Sequence, residues 1–541
     1  MTDPDFIVIG SGSSGGVVAA RLSENGRYQV LCLEAGVNDS PWSRPPGGTA
    51  LMFENPKVNW CRQSTPNETT AGRSLYVPGG KIVGGTSAIN GVIFNRGQRV
   101  DYDRWSQIGC RGWSYDEVLP YFKKLERTDI GDDRHRGRSG PIKVTWAGKI
   151  SPFYDLFIRS AQALGYPLNP DYSGATQYGV SMAQLTVWRG VRQGVANTYL
   201  ADARRRRNLT LRSGAHVTSL ILEGRRCVGV RYRSGGTAHE ARATREVIVS
   251  AGAIATPQLL ELSGIGNPDV LGRAGIPVVH ALRGVGEHLR DHYGPTLKWT
   301  FKGRGLSLAG QGRGLRLAGE IAKWLFTRKG VLSLSPTHVY CFWRSEPTVA
   351  NSDLQLTFTP ASYREGVQGE LEREPGMTVA SWQQRPESRG YVRLRSADPF
   401  EAPIIQPNYL ALESDRRVLL AGMRLARRLL KSRPLEPYYE REDFPGPGVE
   451  SDDELLGAAK QRGTTTFHLM GTCRMGPASD PTAVVDDQLR VHGLQGLRVI
   501  DASIMPTMLS ANLNAATLMI AEKASDLLLG RTAPEPVVVE S

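Results

Sequence analysis

A short apolar run, Phe6-Ile7-Val8-Ile9, ends directly on Gly10-Ser11-Gly12-Ser13-Ser14-Gly15, and the small and apolar residues that follow to position 22 read as a helix. A second strand-like run over residues 28–33 closes on Glu34. Strand, glycine turn, helix and strand make a βαβ unit, which commits the chain to a parallel sheet. Within the pattern G-x-G-x-x-G each glycine has a task. Gly10 permits the tight turn, Gly12 lets backbone approach a pyrophosphate, and Gly15 lets the helix pack closely on the strand. The free N–H groups at the helix start, around Ser13, then receive the phosphates. Glu34 stands 19 residues beyond Gly15, where a carboxylate accepts hydrogen bonds from ribose hydroxyls and repels a 2′-phosphate. A dinucleotide is expected, FAD or NAD in preference to NADP. This unit does not separate the first two.

The remaining composition is that of a large globular chain. Of 541 residues, 40% are hydrophobic and 22% charged, which excludes a disordered or fibrous protein. The length supports two large domains, or roughly three or four small ones, with a core that needs neither disulfides nor metals. Glycine is in excess, 60 of 541 against a usual ~7%, with no collagen period and no linker tract. The net charge of +13 gives loose attraction to anions and no dedicated nucleic-acid site unless it is concentrated. The run Arg204-Arg205-Arg206-Arg207 reads as the solvated end of a helix. The cysteines, Cys32, Cys61, Cys110, Cys227, Cys341 and Cys473, form no CxxC pair and read as reduced thiols. No apolar stretch approaches the ~20 residues of a membrane span, and no signal peptide precedes the first strand. The expected address is the cytoplasm.

Two later runs, 246–250 and 497–501, resemble further strands of the parallel sheet, so the nucleotide-binding part is expected to be assembled from distant stretches. Residues 300–460 differ: strand-like segments at 354–358 and 390–394 and a helix at 416–430 point to a second domain with an antiparallel sheet. Residues 302–329 hold seven Lys/Arg and one acid, Glu320, with Leu315, Ala318, Ala322 and Leu325 at helical spacing. The plainer reading is a helix packed on the protein by that stripe; a membrane-surface or lid role is the other.

Further motifs carry a family resemblance. Residues 80–90 read Gly80-Lys81-Ile82-Val83-Gly84-Gly85-Thr86-Ser87-Ala88-Ile89-Asn90, and residues 252–266 read Gly252-Ala253-Ile254-Ala255-Thr256-Pro257-Gln258-Leu259-Leu260-Glu261-Leu262-Ser263-Gly264-Ile265-Gly266. With Gly471-Thr472-Cys473-Arg474-Met475-Gly476 and Asp501-Ala502-Ser503-Ile504-Met505-Pro506, these resemble the signature segments of the glucose–methanol–choline (GMC) family of FAD-dependent oxidoreductases, over about residues 5–530. Bacterial aryl-alcohol and 5-hydroxymethylfurfural oxidases and choline dehydrogenase-type members are the most similar. The resemblance implies FAD and an α/β fold: a Rossmann-like FAD-binding domain, discontinuous over 1–150, 190–298 and 463–535, and a substrate-binding domain on an antiparallel sheet with helices, over 151–189 and 299–462. It implies flavin contacts from Val83, Gly84, Asn90, Gly91, Val92, Asn512 and Leu513. Val217 is expected at the adenine, Glu34 and Ala35 at the ribose, and Asp501 and Ala502 at the phosphate or ribityl chain.

Taking hydride from an alcohol carbon needs a base at the hydroxyl, and histidine titrates near working pH. The resemblance assigns that base to His468 and its partner to Asn512. Phe467, Phe358, Phe342, Trp343 and Trp382 are candidate pocket aromatics, and His338 falls where choline-oxidising relatives carry a glutamate. Its absence lowers choline as substrate, because a trimethylammonium group wants negative charge and aromatic faces. The expected reaction is oxidation of a primary alcohol, aromatic or furanic, with O2 as acceptor and H2O2 as product. A dehydrogenase passing electrons to a quinone, a lyase or photodecarboxylase on the same scaffold, and an electron carrier are the alternatives. His288 and His292 have the i, i+4 spacing of a zinc pair but no third ligand, so no metal is expected.

Overall fold

A computed structural model describes residues 3–148, 151–302, 314–335, 337–362, 371–372 and 374–539. Its first layer is a parallel sheet in the order Leu209–Arg212, Val30–Leu33, Phe6–Ile9, Glu246–Val249, Leu497–Val499. The central strand is apolar at every position and wholly buried, as expected for a parallel strand covered on both faces. Leu209–Arg212 was not expected; it is short and sits directly behind the arginine run, which hides its pattern. Helices Gly15–Leu22 and Leu513–Leu529 pack against each other and close the same core. A carboxylate is buried where they meet: Glu522 accepts from Arg21 Nη2 at 2.7 Å and from the Tyr199 hydroxyl at 2.6 Å.

The second layer is a six-stranded antiparallel sheet in the order Tyr439–Phe444, Thr296–Phe301, Gly376–Gln383, Leu354–Thr359, Val339–Trp343, Gly179–Met182. The strand Thr296–Phe301 straddles position 298, the boundary expected from sequence. Side chains alternate across this sheet with period two. Leu297, Trp299, Phe301, Leu356, Phe358, Met377 and Val379 form a core with helices Phe153–Ala163 and Glu413–Leu430. Thr296, Lys298, Thr357, Thr359, Thr378, Ala380 and Trp382 point the other way, into a cavity.

That alternation corrects two expectations. Phe358 is fully buried and stacks on Phe157 at 4.5 Å between ring centroids, behind the sheet. His338 is also fully buried, its Nδ1 2.6 Å from the Tyr154 hydroxyl on the helix covering that side. Neither lines the cavity. Phe342 packs with Tyr172, and Trp343 with Tyr166 and Tyr178, so both leave the candidate pocket as well.

The basic stretch differs too. Residues 303–313 and the side chain of Leu315 lie outside the described residues. Helix Gly314–Thr327 meets the protein through Leu317, Ile321 and Trp324, an i, i+4, i+7 row. Ala318, Ala322 and Leu325, the stripe read as the packing face, are exposed. All six cysteines are free thiols, and no helix among the described residues is long and apolar enough to cross a membrane.

Candidate active site

A cavity of about 1670 Å³ runs from the carboxyl ends of the parallel strands to the threonine-lined face of the antiparallel sheet. It is larger than the ~300–1,000 Å³ of an ordinary small-molecule pocket, and its position outside the strand ends is where α/β sheets bind ligands. Gly10, Gly12, Ser13, Glu34 and Ala35 line one end. Gly15 does not: a Cβ there would meet the Gly10 carbonyl oxygen at 1.9 Å, so this glycine serves helix-to-strand packing. Glu34 Oε2 accepts from the Ser11 N–H at 2.9 Å and hydroxyl at 2.8 Å, and Oε1 accepts from the Gly36 N–H at 2.8 Å. Burial raises its carboxyl pKa, and Oε1 keeps acceptor capacity for a ribose hydroxyl.

Val217 lines the same end, on the strand Ala215–Glu223 just before its bulge. Asp501 lines the middle, but its carboxylate is already committed. It accepts from the Gly252 N–H at 2.8 Å, the Thr256 hydroxyl at 2.6 Å and the Ser503 N–H at 2.8 Å. It therefore anchors the start of helix Gly252–Leu262, and Ala502 is left on the wall. Asn90, Gly91 and Leu513 line the cavity, whereas Val83, Gly84 and Val92 do not. Gly84 turns the loop at φ +94°, and the Val92 side chain enters a small core with Tyr172 and Tyr340. Arg192 holds this loop from behind, its Nη1 donating to the Asn90 carbonyl at 2.6 Å and Oδ1 at 2.7 Å. It is fully buried, and burial pulls its pKa down to about 9.

These residues fit FAD. Gly12 and Gly85 bring two loops so close that a Cβ on Gly85 would meet Gly12 Cα at 2.7 Å, while a Cβ on Gly252 would point into open space. The helices beginning at Gly15, Gly252 and Leu513 all start on the cavity, and helix N-termini favour negative charge. Asn512 Oδ1 is buried with no hydrogen-bond partner among the described residues, on the cavity wall.

At the far end His468 Nε2 lies 3.0 Å from Asn512 Nδ2. His468 Nδ1 lies 2.9 Å from His292 Nδ1 and 2.8 Å from the Thr466 hydroxyl. His292 Nε2 lies 2.7 Å from the Gln384 carbonyl oxygen. The partners fix the tautomers. A carbonyl only accepts, so His292 carries its proton on Nε2. Burial pushes the pKa of His292 down to about 4, so its Nδ1 is a bare acceptor. His468, held well below the usual range by burial and by His292, then donates from Nδ1 and presents an unprotonated Nε2 beside Asn512. The backbone is held as firmly: Asp291 accepts from the His468 N–H at 2.7 Å, the Tyr409 hydroxyl at 2.6 Å and the Thr465 hydroxyl. Phe467, at φ +67°, bends the loop between them.

His292, weighed from sequence only as half of a zinc pair, is instead the hydrogen-bonding partner of His468. It does not converge with His288, whose Nδ1 faces Arg389 instead. The i, i+4 rule presupposes a helix, and here the chain is a loop with His288 at φ +62°. The legible signal was the adjacent Asp291, an acid followed directly by an imidazole.

A dinucleotide cradle joined to a histidine–amide pair over a threonine-lined floor defines a flavin-dependent oxidoreductase. Sequence models of the GMC oxidoreductase family match residues 4–294 and 386–521, and the chain belongs to this family; FAD is its cofactor and CH–OH donors are its substrates. It is 39% identical over 538 residues to human mitochondrial choline dehydrogenase, covering 98% of this chain and 90% of that one. It is 38% identical over 531 residues to the oxygen-dependent choline dehydrogenase of Brucella anthropi, covering 98% and 96%. Among solved structures, pyridoxine 4-oxidase from Mesorbium loti superposes with a TM-score of 0.89 at 28% identity, covering 98% of this chain and 99% of that one. A fungal aryl-alcohol oxidase does so at 0.84 and 25% identity, over the same shares.

Proposed function

We propose that the protein oxidises a primary alcohol with an uncharged, aromatic or furanic body to the aldehyde. FAD supplies the two-electron hydride acceptor. The substrate oxygen occupies the notch between His468 Nε2 and Asn512 Nδ2, atoms 3.0 Å apart. Asn512 donates to that oxygen and His468 Nε2 accepts its proton, so negative charge builds on oxygen as the C–H bond weakens. Such fixed donors at developing charge contribute more than the proton transfer itself.

The observation that carries the substrate class is the cavity face of the antiparallel sheet: Thr296, Lys298, Thr357, Thr378, Ala380 and Trp382. Its one ionised side chain among the described residues is a cation, and Lys298 already pairs with Glu372. Hydroxyls and an indole suit a flat, uncharged body, and this face gives a trimethylammonium group no carboxylate, Glu54 and Glu401 lining other walls of the cavity. A choline-like alcohol is the second reading, favoured by 38–39% identity to choline dehydrogenases and by the rings of Trp382, Phe467 and Tyr340 on the wall. O2 is the acceptor in the first reading and a quinone in the second. An alcohol panel on the FAD-loaded enzyme, following peroxide in air and dye reduction without it, tests both. Turnover of choline at a higher kcat/KM than benzylic or furanic alcohols reverses the order.

A further inference from the structure

Helix Gly314–Thr327 presents to solvent what helices ordinarily bury. It is fastened to the protein from one side: the Trp324 indole N–H donates to the Gly190 carbonyl at 2.8 Å, and Glu320 accepts from the Val331 N–H at 2.8 Å. Glu320, the only acid of the helix, thus bonds inward through one oxygen, and its other oxygen lies 3.7 Å from the Lys323 ammonium. On the outside, Leu325 is 55% exposed and Phe326 88% exposed. Arg316, Lys323, Arg328 and Lys329 are exposed around them. The neighbouring hairpin continues this character. Its turn abuts the helix end so closely that a Cβ on Gly190 would meet the Arg328 carbonyl oxygen at 1.9 Å. Beside that turn the exposed Trp188 ring lies 4.6 Å from the Lys143 ammonium and 5.6 Å from the Arg189 guanidinium.

We propose that this surface docks peripherally on an anionic lipid bilayer, with Leu325 and Phe326 entering the headgroup boundary and the surrounding cations meeting lipid phosphates. The geometry distinguishes a bilayer from a protein partner. Phe326 protrudes from a convex helix, and a rigid protein would need a socket shaped to it, whereas a bilayer accepts an isolated ring without one. Apart from Glu320, which Lys323 balances, the charged side chains of the helix and its end are cations, which matches a negative leaflet. Trp, Lys and Arg beside an apolar tip are also the residues that partition to the membrane–water interface. The docked helix has a fixed relation to the cavity, because Leu317 on its inner row, and Val331 and Leu332 just after it, line the cavity wall. Leu317 precedes Phe326 by nine residues, about 13 Å along a helix axis, so docking brings that end of the cavity to the lipid surface.

The test uses the FAD-loaded full chain in vesicle flotation, with pure phosphatidylcholine against phosphatidylcholine carrying roughly 30% phosphatidylserine. The expected result is association with the anionic vesicles at least ~10-fold above the neutral ones, weakening as salt screens the charges. The double variant Leu325→Glu/Phe326→Glu loses it by about 10-fold or more, and Lys323→Glu/Lys329→Glu loses it by a similar factor while leaving the apolar pair intact. Flavin reduction by a soluble alcohol stays at the wild-type rate in both, which separates lost docking from lost folding. Wild-type protein that ignores anionic vesicles overturns the proposal, as does equal flotation of the two double variants and the wild type. So does a wild-type oligomer that the variants dissociate while no form binds vesicles, which would make the patch a protein contact.

Discussion

Replacing His292 with leucine isolates what the second imidazole does. In the wild type, the Nδ1–H tautomer of His468 donates to His292 Nδ1 across 2.9 Å. The opposite tautomer would set two nitrogen lone pairs against each other at that distance. Leucine removes both the reward and the penalty. The Thr466 hydroxyl, 2.8 Å from His468 Nδ1, can then donate to a bare Nδ1 as readily as accept from a protonated one. The loss is one buried hydrogen bond plus the repulsion that guarded it, about 1.5 kcal/mol, which moves the tautomer ratio by roughly 10-fold and the share of His468 with a free Nε2 from about nine-tenths to about half. Single-turnover flavin reduction under anaerobic conditions should slow by about 2-fold, with substrate affinity little changed because Asn512 remains. His292→Asn, which puts an amide oxygen near the lost Nδ1, should recover part of the rate. A leucine variant that binds FAD, unfolds at a similar temperature and reduces at the wild-type rate refutes the tautomer argument.

Two further outcomes follow from the same site. Burial holds His292 at about 4, and burial with the neighbouring His292 holds His468 well below its ordinary range, the ~6.5 of an unfolded histidine, so the base stays neutral and the reduction rate stays flat as pH falls from 8 to 5; an acid limb near pH 6.5 contradicts it. The folded protein binds fewer protons at these two sites than the unfolded chain, so their contribution to stability is complete above about pH 6.5 and is lost as pH falls towards 4. Asp291, raised to about 6 by burial, opposes them and stabilises as it protonates, so the measured fall in unfolding temperature should steepen in Asp291→Asn. Finally, Gly85→Ala should yield protein with little bound flavin by its visible absorbance, since the added methyl meets Gly12 Cα at 2.7 Å from a backbone at φ +52°; stoichiometric FAD in that variant would show that the two loops are free to separate.

How much of this was legible depended on whether a residue's partners lie nearby in sequence. The Phe6–Leu33 unit was readable because turn, helix start and Glu34 bond to one another. The pairing of His468 with Asn512 came from resemblance alone, since no local pattern links residues 44 positions apart. Phe358 was misplaced for want of one step of parity: Thr357-Phe358-Thr359 alternates, and the threonines face the cavity. The stripe 315/318/322/325 was real as a pattern, but Ala318, Ala322 and Leu325 turn outward, because periodicity gives the faces of a helix and not which of them the protein covers. His292 needed both the loop backbone and the Gln384 carbonyl, which only the fold brings together.

The parallel sheet also sets a timetable for synthesis. Its central strand ends at Ile9, yet the outermost strand on one side is Leu497–Val499. At ~5–20 residues per second, on the order of half a minute to a minute and a half separates their emergence from the ribosome. For about the second half of that interval, from its own synthesis onward, Glu246–Val249 stands with a bare edge, an apolar template for pairing with another chain. Asn512 and helix Leu513–Leu529, which complete the flavin end of the cavity, arrive later still. A chain ending between residues 253 and 496 therefore has the strand ends and glycine loops of its dinucleotide cradle but an open sheet, with one apolar strand edge uncovered.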